Sequence, residues 1–403
     1  MRFPARIPLG WLLCGAILVS ALIALNRGID LLWGMTLLLA VATAIAFVLP
    51  RLQVQGTHVE RVQFPESGTV GEPLTLSYRV RASGWFARYG IELHEAFGSI
   101  GPTAYFPKVS GESEVKFSFI PRTRGCWALQ DLAIESRYPL GLSRSRRAIV
   151  QTASQGVPAE LVIYPSFTTM HSLPVIGEAN PHAELRSTRL RGGHEEFFSV
   201  RAHRPEDSLR AIHWRASARA GELIVKEYER QLNQQIWIVL ELSEDEHVGA
   251  ESASTFEYMI HIAHSVAIKA REASIPFGLI YDSGEKLERI GPGLDRGTYL
   301  QLRDALARVN PRTQPALTSH LDRLWEAIPA GGTWLLFTPR DPAGRGALLR
   351  GARQRAAHPL YVEFDHDSFV RGEKRERLST QSSPHGLVSI VPYGSDLSEL
   401  FRT

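Results

Sequence analysis

Two uncharged apolar runs fill most of the first 50 residues and constrain the fold more than any other feature of the chain. Ile7–Leu25 and Leu31–Leu49 each hold 19 residues without a charge, and only Asn26–Asp30 separates them. A helix that rises about 1.5 Å per residue spans the roughly 30 Å hydrocarbon layer of a bilayer over such a length. The short connection therefore predicts a helical hairpin over residues 1–51 that crosses a membrane twice.

The charges around this hairpin predict its orientation. Arg2 and Arg6 precede the first run and Arg51 follows the second, whereas Arg27 and Asp30 cancel in the connection. The positive-inside bias then places both ends of the hairpin, and the soluble remainder of the chain, in the cytoplasm. A charged start before an apolar run is also typical of a cleaved signal peptide, but the second run directly behind the first argues against cleavage.

The composition is that of an ordinary globular protein, with 44% apolar and 22% charged residues. The formal net charge of +3 gives no reason to expect a polyanionic partner. The two cysteines are Cys14, inside the first apolar run, and Cys126. They exclude a disulfide framework and a thiolate metal site, and they fit a reducing compartment.

Short β-strands are predicted from Leu52 to about Glu160. Glu72–Ala82 and Ser113–Pro121 alternate apolar and polar side chains, which is the period of a strand with one buried face. Glycine and proline recur at short intervals and bound further strands. This pattern predicts a β-sandwich-like domain of immunoglobulin-like size over residues 52–160.

From about Leu161 the pattern changes to strands that alternate with helices. Ile236–Ser243 is a near-continuous apolar run, typical of a strand buried on both faces. Ala253–Ala273 has the spacing of an amphipathic helix, with apolar residues at Phe256, Ile260, Ala263 and Ala267. Further strands are predicted within Ile275–Asp282, Thr333–Pro339 and His358–Asp365, with helices between them. This alternation predicts a doubly wound α/β domain with a mostly parallel sheet over residues 161–403.

Motifs of several enzyme classes are missing from the sequence. No G-x-x-x-x-G-K-S/T phosphate loop occurs, no G-x-G-x-x-G follows a predicted strand, and no G-x-S-x-G nucleophile elbow is present. His261 and His264 stand at i and i+3 of a predicted helix, a spacing that can hold zinc. Because no third ligand stands nearby, a partly exposed helix flank is the favoured interpretation of this pair.

The densest group of functional side chains is Glu196–Arg219, with five arginines, two histidines, an aspartate and a tryptophan among 24 residues. Asp207 or Ser208 can cap a helix that begins at Leu209, and Gly221 can end it, so a loop, a short helix and a strand leading into the sheet are predicted. Ion pairs with nearby carboxylates, which pin the loop, are the favoured role of the arginines. A nucleic-acid surface is the alternative, although few aromatic residues stand between the arginines.

The same stretch resembles the signature of the domain-of-unknown-function-58 family (DUF58), E-F-x-x-x-R-x-Y-x-x-G-D-x-x-R-x-I-D-W-x-x-x-A-R. The matching positions are held by Glu196, Phe197, Arg201, Asp207, Arg210, Ile212, Trp214, Ala218 and Arg219. The signature region spans residues 192–229, and Arg122–Arg147 is similar to a second segment of the family upstream.

Three positions depart from the signature. His203 replaces the tyrosine, Glu206 the glycine and His213 the aspartate. Because glutamate lacks the freedom of glycine to adopt a positive φ, we expect a rebuilt turn at Glu206. His213 lies on the apolar side of the predicted helix, and we interpret it as a hydrogen-bonded core residue.

The resemblance implies a fold and a cellular context. It implies a von Willebrand factor A-like domain carried on a membrane hairpin, with two spans in the inner (cytoplasmic) membrane of a bacterium. It also implies the company of MoxR-type AAA ATPases and transglutaminase-like membrane proteins, in the assembly or activation of client proteins. The biochemical activity of the family is unassigned.

The von Willebrand factor A-like interpretation offers one metal site. Such domains hold Mg²⁺ with a D-x-S-x-S motif after the first buried strand, and here Glu241 replaces the aspartate, Ser243 matches the first serine and Asp245 replaces the second. Thr338 and Asp341 follow a later strand and can supply further ligands at the same sheet edge. Mg²⁺ requires near-octahedral geometry at roughly 2.0–2.1 Å, so the longer glutamate and the lost hydroxyl weaken the motif. An acidic, solvated loop is the alternative.

These observations favour a membrane-tethered, non-enzymatic adaptor or scaffold whose A-like domain binds a MoxR-type AAA ATPase or the client of that ATPase. The alternative is a membrane-surface hydrolase or processing enzyme that uses Asp207 with His203 or His213, or the degenerate metal site. A nucleic-acid binder that uses Arg144–Arg147 and Arg371–Arg377 is a third hypothesis, and the charge balance predicts no nucleic-acid partner. No cofactor is expected apart from the Mg²⁺ of the degenerate motif.

Overall fold

The structure of the chain is a computed structural model. It describes residues 9–28, 30–84, 86–95, 103–128, 132–149, 160–173, 195–204, 212–230, 235–329, 331–338, 342–355, 358–383 and 386–401. The chain forms two compact units, Met1–Pro165 (the first unit) and Ser166–Thr403 (the second unit). The division falls a few residues after the predicted boundary at residue 160, because the strand Glu160–Tyr164 pairs with strands of the first unit.

The first unit begins with two apolar helices, α1 (Leu9–Arg27) and α2 (Asp30–Gln55). Within the described residues, α2 is long and apolar enough to cross a membrane, whereas the apolar stretch Leu13–Arg27 of α1 is shorter. Ser20 Oγ and Thr36 Oγ1 form a hydrogen bond of 2.7 Å between the two helices. One candidate membrane span near the N-terminus is therefore confirmed by length and composition.

The last turns of α2 pack into the strands that follow. Pro50 lies inside the helix and has no N–H to donate to the Ala46 carbonyl one turn earlier. The Ser143 hydroxyl donates to that carbonyl instead, at 2.6 Å. The side-chain oxygen of Gln53 accepts the Tyr89 N–H at 3.1 Å. These contacts carry the helix past the end of its apolar run and tie it to the strands.

The rest of the first unit is built from strands in three sheets, among the residues that the structure describes. The strands are β1 (Thr57–Gln63), β2 (Ser67–Thr69), β3 (Leu74–Ala82), β4 (Arg88–His94), β5 (Thr103–Val109), β6 (Glu112–Phe119), β7 (Gly125–Ala128), β8 (Leu132–Ser136), β9 (Ser145–Ile149) and β10 (Glu160–Tyr164). The sheet orders are β1-β3-β6, β2-β10-β7 and β5-β4-β8-β9. β3 and β6, both predicted from their alternation, pair antiparallel with Leu74 opposite Phe119.

These sheets share one hydrophobic core. Its members alternate along their strands and include Leu76, Val80, Ile91, Leu93, Leu132, Ile134, Leu161 and Ile163. A β-rich unit with sandwich-like packing is therefore confirmed. One ion pair is buried with it: Arg61 of β1 contacts Glu95, whose carboxylate also accepts the Tyr78 hydroxyl at 2.9 Å.

The second unit is an α/β domain with a seven-stranded sheet in the order β15-β14-β13-β16-β17-β19-β18. Its elements are β11 (Glu195–Ala202), α3 (Trp214–Ala220), β12 (Ile224–Arg230), β13 (Ile236–Leu240), α4 (Thr255–Glu272), β14 (Phe277–Asp282), β15 (Leu287–Gly293), α5 (Arg296–Arg308), α6 (Leu321–Ala327), β16 (Thr333–Phe337), α7 (Pro342–Arg355), β17 (His358–Phe364), α8 (His366–Arg371), β18 (Ser379–Ser383) and β19 (Gly386–Val391). The five central strands, β14, β13, β16, β17 and β19, pair parallel with their neighbours. The two edge strands pair antiparallel, β15 with β14 and β18 with β19.

Helices cover both faces of this sheet. Ile238 and Leu240 of β13 belong to the core that α4 and α5 share, whereas Trp237 and Val239 belong to the core that α6 and α7 share. The strand predicted to be buried on both faces is therefore confirmed, as are the helix α4 and the mostly parallel sheet. The antiparallel edges were not predicted, because β15 and β18 lack a long apolar run.

Candidate functional site

The arginine-rich stretch folds into an antiparallel ribbon with a short helix between its strands. β11 pairs with β12, with Ala202 opposite Ile224. The backbone of Ile212, which is buried, forms a β-bridge to Val225 of β12. One prediction is therefore wrong, because the predicted loop begins as the strand β11. The predicted strand is present as β12, which pairs with β11 and precedes β13 of the seven-stranded sheet.

The helix of this ribbon begins later than predicted. α3 starts at Trp214 and not at Leu209, because the β-bridge holds the backbone just before it extended. His213 caps the helix, and its Nδ1 accepts the Ala216 N–H at 3.3 Å. Gly221 ends it as predicted, in the left-handed region with a φ of 74°.

The three signature residues on α3, Trp214, Ala218 and Arg219, are exposed. Trp214 is 65% exposed, and Arg219 lies in the last turn, where a positive charge interacts favourably with the helix dipole. Glu196, Phe197 and Arg201 lie on β11, and for these three residues the structure describes the backbone. Asp207 and Arg210 lie outside the described residues, as do the predicted cap Ser208 and the departing Glu206.

The two described departures have local structural contacts. The His203 backbone N–H donates to the Leu223 carbonyl at 2.8 Å, and its buried Nε2 has no hydrogen-bond partner in the described structure. The predicted core role of His213 is wrong, because its half-buried ring caps α3. Ser217 is the buried residue of this helix, and its hydroxyl accepts the Ile224 N–H at 2.8 Å.

Exposed apolar side chains lie along the ribbon and its helix. Val200 of β11 is 44% exposed and Leu223, just before β12, is 45% exposed. Trp214 adds the largest apolar side chain of the segment. Of these residue types, tryptophan is the one that is enriched at surfaces that bind other proteins.

A buried carboxylate lies directly after β13, at the carboxyl end of this central strand. Glu241 is 8% exposed, and its two oxygens accept the N–H groups of Ser243 and Leu317, each at 2.8 Å. The buried Ser243 hydroxyl donates to the Gln314 carbonyl at 2.9 Å. Glu241 therefore fastens the loop after β13 to the segment 312–317.

Burial decides the electrostatics of this edge. It raises the pKa of Glu241 to about 7, although the N–H groups that contact the carboxylate favour its ionised form. The Nε2 of His247 donates to the Glu241 carbonyl at 2.8 Å, and burial lowers the pKa of His247 to about 4. A largely apolar crevice beside the carboxylate is lined by Val239, Glu241, Leu317, Thr318, Leu336, Phe337 and Leu348. Doubly wound folds bind their ligands at this edge.

The predicted magnesium ligands lie in different environments. Glu241 and Ser243 are buried and use their polar atoms within the protein, whereas Asp245 lies on an exposed turn. The buried Thr338 hydroxyl donates to a β17 carbonyl at 3.3 Å, and Asp341 lies outside the described residues. These contacts favour a structural role for Glu241 and Ser243, and the magnesium site stays a prediction.

Hydroxyl groups orient both histidines of α4. The ring nitrogens of His261 lie 3.0 Å from Ser166 Oγ and 2.8 Å from Thr168 Oγ1, and burial lowers the pKa of His261. His264 is 2% exposed, and its Nε2 lies 3.1 Å from the Tyr299 hydroxyl. The predicted partly exposed flank is therefore wrong for His264.

Arginines that were candidates for nucleic-acid binding make contacts within the fold. Arg144 forms an ion pair with Glu135, and Arg147 donates to the backbone carbonyls of Gln55, at the end of α2, and Thr57, at the start of β1. Arg375 pairs with Asp365 at 2.9 Å. These guanidinium groups stabilise the fold through those contacts.

The family model described as "Protein of unknown function DUF58" matches residues 199–338. The chain carries a DUF58 domain. The match runs from β11 past the end of β16, so the DUF58 domain contains α3 with its exposed Trp214 and the sheet edge at Glu241.

Solved structures match parts of the chain at low similarity. The PKD domain of an M14-like peptidase from a Thermoplasmatales archaeon is 14% identical, with 27% of this chain and 91% of that chain covered and a TM-score of 0.17. The CARDB domain of a Pyrococcus furiosus protein is 11% identical, with 27% and 94% covered and a TM-score of 0.18. A Listeria innocua β-glucosidase is 14% identical, with 23% and 16% covered and a TM-score of 0.14. No curated protein matches the chain.

Proposed function

We propose that the chain is a membrane-tethered, non-enzymatic adaptor whose DUF58 domain docks onto a partner protein. The observation that carries this proposal is Trp214, a signature residue whose side chain is 65% exposed. Tryptophan is a residue type that is enriched among interface hot spots. The exposed Val200 and Leu223 add aliphatic surface on the same ribbon.

The family resemblance suggests the partner, a MoxR-type AAA ATPase or its client, with a transglutaminase-like membrane protein as a further neighbour. It also suggests that the second unit is a von Willebrand factor A-like domain. The seven-stranded, mostly parallel sheet supports this assignment. The loop after β13, with Glu241 and Ser243, then occupies the position of the metal motif.

We further propose that α1 and α2 form a two-span hairpin in the inner membrane of a bacterium, with both ends and the soluble units in the cytoplasm. Exposed leucines of α2 support this hairpin, because Leu31, Leu37 and Leu38 are 66% to 75% exposed. Side chains of this kind are stable in a lipid environment. The Ser20–Thr36 hydrogen bond is typical of contacts between membrane helices.

The adaptor proposal is tested with the full chain in detergent and a MoxR-type ATPase from the same organism. We expect ATP-dependent association with micromolar affinity, and Trp214→Ala to weaken it at least about tenfold, as loss of a hot spot does. Tyr105→Ala is the matched control, because Tyr105 is 63% exposed but belongs to the first unit. Absence of association up to roughly 100 µM, or an equal loss in the control, contradicts the proposal.

The orientation is tested by cysteine labelling of intact cells. Cys14 and Cys126 are replaced by serine, and a single cysteine is introduced at Asn26, in the last turn of α1, or at the exposed Ser110. We expect a membrane-impermeant maleimide to label N26C before lysis and S110C after lysis. Labelling of S110C in intact cells contradicts a cytoplasmic location of the soluble units.

A further inference from the structure

Three ligand-type side chains converge on the sheet β5-β4-β8-β9 of the first unit. Glu92 and His94 are two residues apart on β4 and therefore share one face of the sheet. Glu135 of β8 lies directly opposite Glu92 in the antiparallel pair. Like charges that face each other across two strands destabilise a sheet, so a cation that contacts both carboxylates stabilises this pair.

The distances within this group fit a shared metal ion better than direct hydrogen bonds. His94 Nε2 lies 3.5 Å from Glu92 Oε2 and 3.6 Å from Glu135 Oε2. Both distances are longer than an ordinary hydrogen bond. They are close to the edge of a tetrahedron of ligands around zinc, which is about 3.4 Å when each ligand is roughly 2.0–2.1 Å from the metal. Among the described residues, the facing atoms of this trio all lie within 4.8 Å of one another.

The second nitrogen of His94 has the contact that a metal-binding histidine needs. His94 Nδ1 lies 3.1 Å from the Thr103 hydroxyl on β5. With the Nδ1 proton donated to that oxygen, Nε2 presents its lone pair to the two carboxylates. This Nε2 atom is buried and has no hydrogen-bond partner in the described structure.

Two arginines hold the Glu135 carboxylate from its other side. Glu135 is fully buried. Arg137 Nε donates to Glu135 Oε1 at 2.8 Å, and Arg144 forms an ion pair with Oε2. Donors of this kind orient coordinating carboxylates, and each carboxylate oxygen keeps a further lone pair for a metal. Both guanidinium groups are half-exposed, so they can move away from an added positive charge.

We propose that Glu92, His94 and Glu135 bind a divalent transition metal, with Zn²⁺ as the ion that fits this set and a water molecule as the fourth ligand. One imidazole and two carboxylates are a donor set that zinc accepts in tetrahedral geometry. The ion removes the repulsion between the facing glutamates and crosslinks β4 to β8. Its place in the first unit makes it independent of the docking surface on the DUF58 domain.

The test uses the full chain without a histidine tag, stripped with a chelator and titrated calorimetrically with Zn²⁺ in detergent. We expect the wild type to bind about one equivalent more than Glu92→Gln and His94→Gln, whose affinity at this site falls by roughly 10- to 100-fold or more. Glu114→Gln and His58→Gln are matched controls, because both residues are exposed on strands of the same unit. Co²⁺ provides a second readout, through the visible absorption of a tetrahedral site in the wild type and the controls.

Thermal unfolding separates a loss of metal from a loss of fold. Zn²⁺ is expected to raise the Tm of the wild type and of both controls, and to leave the Tm of Glu92→Gln and His94→Gln unchanged. Equal binding in His94→Gln and the wild type overturns the proposal. So does a wild type that binds no Zn²⁺ while both site variants lose stability, because the three side chains then have only a structural role.

Discussion

In the first unit, the buried carboxylate of Glu95 contacts the guanidinium of Arg61 and the hydroxyl of Tyr78. In the second unit, the buried carboxylate of Glu241 contacts two backbone N–H groups instead. The Arg61 and Glu95 side chains are 4% and 1% exposed, and Glu241 is 8% exposed. Burial raises the pKa of both glutamates. The same cost of burial is thus offset by a full charge in one unit and by backbone dipoles in the other.

The difference determines what each contact can withstand. A guanidinium and a carboxylate in a core depend on each other, because removal of either leaves an unpaired charge. A carboxylate that holds backbone N–H groups fastens two loops and can still take up a proton, so it links local structure to pH. The first arrangement predicts a large effect of one substitution, and the second predicts a smaller effect that depends on pH.

The largest effect is expected for Arg61→Met. This variant leaves the Glu95 carboxylate in the core with the Tyr78 hydroxyl as its remaining partner among the contacts given above, at a cost of about 3–5 kcal/mol. The measurement is urea unfolding of the full chain in detergent, with the transition of the first unit followed. Arg61→Met with Glu95→Met is expected to recover most of the loss, since both charges are then absent. A double variant as unstable as the single one would show that packing, and not charge, causes the loss.

Periodicity predicted the elements whose burial is local. β3, β6, β13 and α4 follow directly from apolar spacing, because β3, β6 and α4 each pack against one core and β13 buries its two faces in two cores. The start of α3 was not predictable in this way. The apolar spacing around Ile212 is compatible with a helix, but a β-bridge to Val225 of β12 keeps the Ile212 backbone extended. Local spacing does not reveal this bridge, because Val225 lies on another element of the ribbon.

The charged contacts were beyond prediction from one sequence for a related reason. Arg61 and Glu95 are 34 residues apart, and strand pairing alone brings them together. Glu92 and Glu135 become neighbours through the pairing of β4 with β8. The family motif pointed to Glu241, but it did not predict the hydrogen bond from the Leu317 N–H to the Glu241 carboxylate. No local sequence pattern marks a backbone N–H as the partner of a distant carboxylate.

The next effect in size is expected for Glu241→Gln. An amide offers one acceptor oxygen where the carboxylate offers two, so the N–H of Ser243 or Leu317 loses its partner at a cost of up to about 3 kcal/mol. The measurement is the unfolding transition of the second unit. Glu285→Gln is the matched control, because Glu285 is exposed on a turn of the same unit. An equal loss of stability in the two variants would show that the hydrogen bonds of the Glu241 carboxylate do not stabilise the second unit.

The pH dependence of the second unit sharpens this prediction. The folded pKa of Glu241, about 7 instead of 4.5, contributes stability that is present below pH 4.5 and is lost as pH rises to about 7. The folded pKa of His247, about 4 instead of 6.5, contributes stability that is present above pH 6.5 and is lost as pH falls to about 4. The two effects oppose each other between these limits in the wild type. Glu241→Gln leaves only the histidine, so we expect this variant to lose about 2 kcal/mol more than the wild type from pH 6.5 to pH 4.5, measured by urea unfolding at each pH.

The smallest effect is expected for an ion pair placed in the second unit but near solvent. Arg345 of α7 contacts Glu363 of β17 at 2.8 Å, and the two side chains are 34% and 25% exposed. We expect the cost of a broken ion pair to depend on the burial of the pair and not on the unit that contains it. Arg345→Met then costs less than about 1 kcal/mol, because water solvates the remaining carboxylate. Methionine keeps the helix propensity of arginine, so α7 itself is not weakened. A loss of unfolding free energy as large as that of Arg61→Met would mean that the second unit tolerates no unpaired charge even near its surface. The contrast between the units would then result from their folds and not from the burial of the carboxylate.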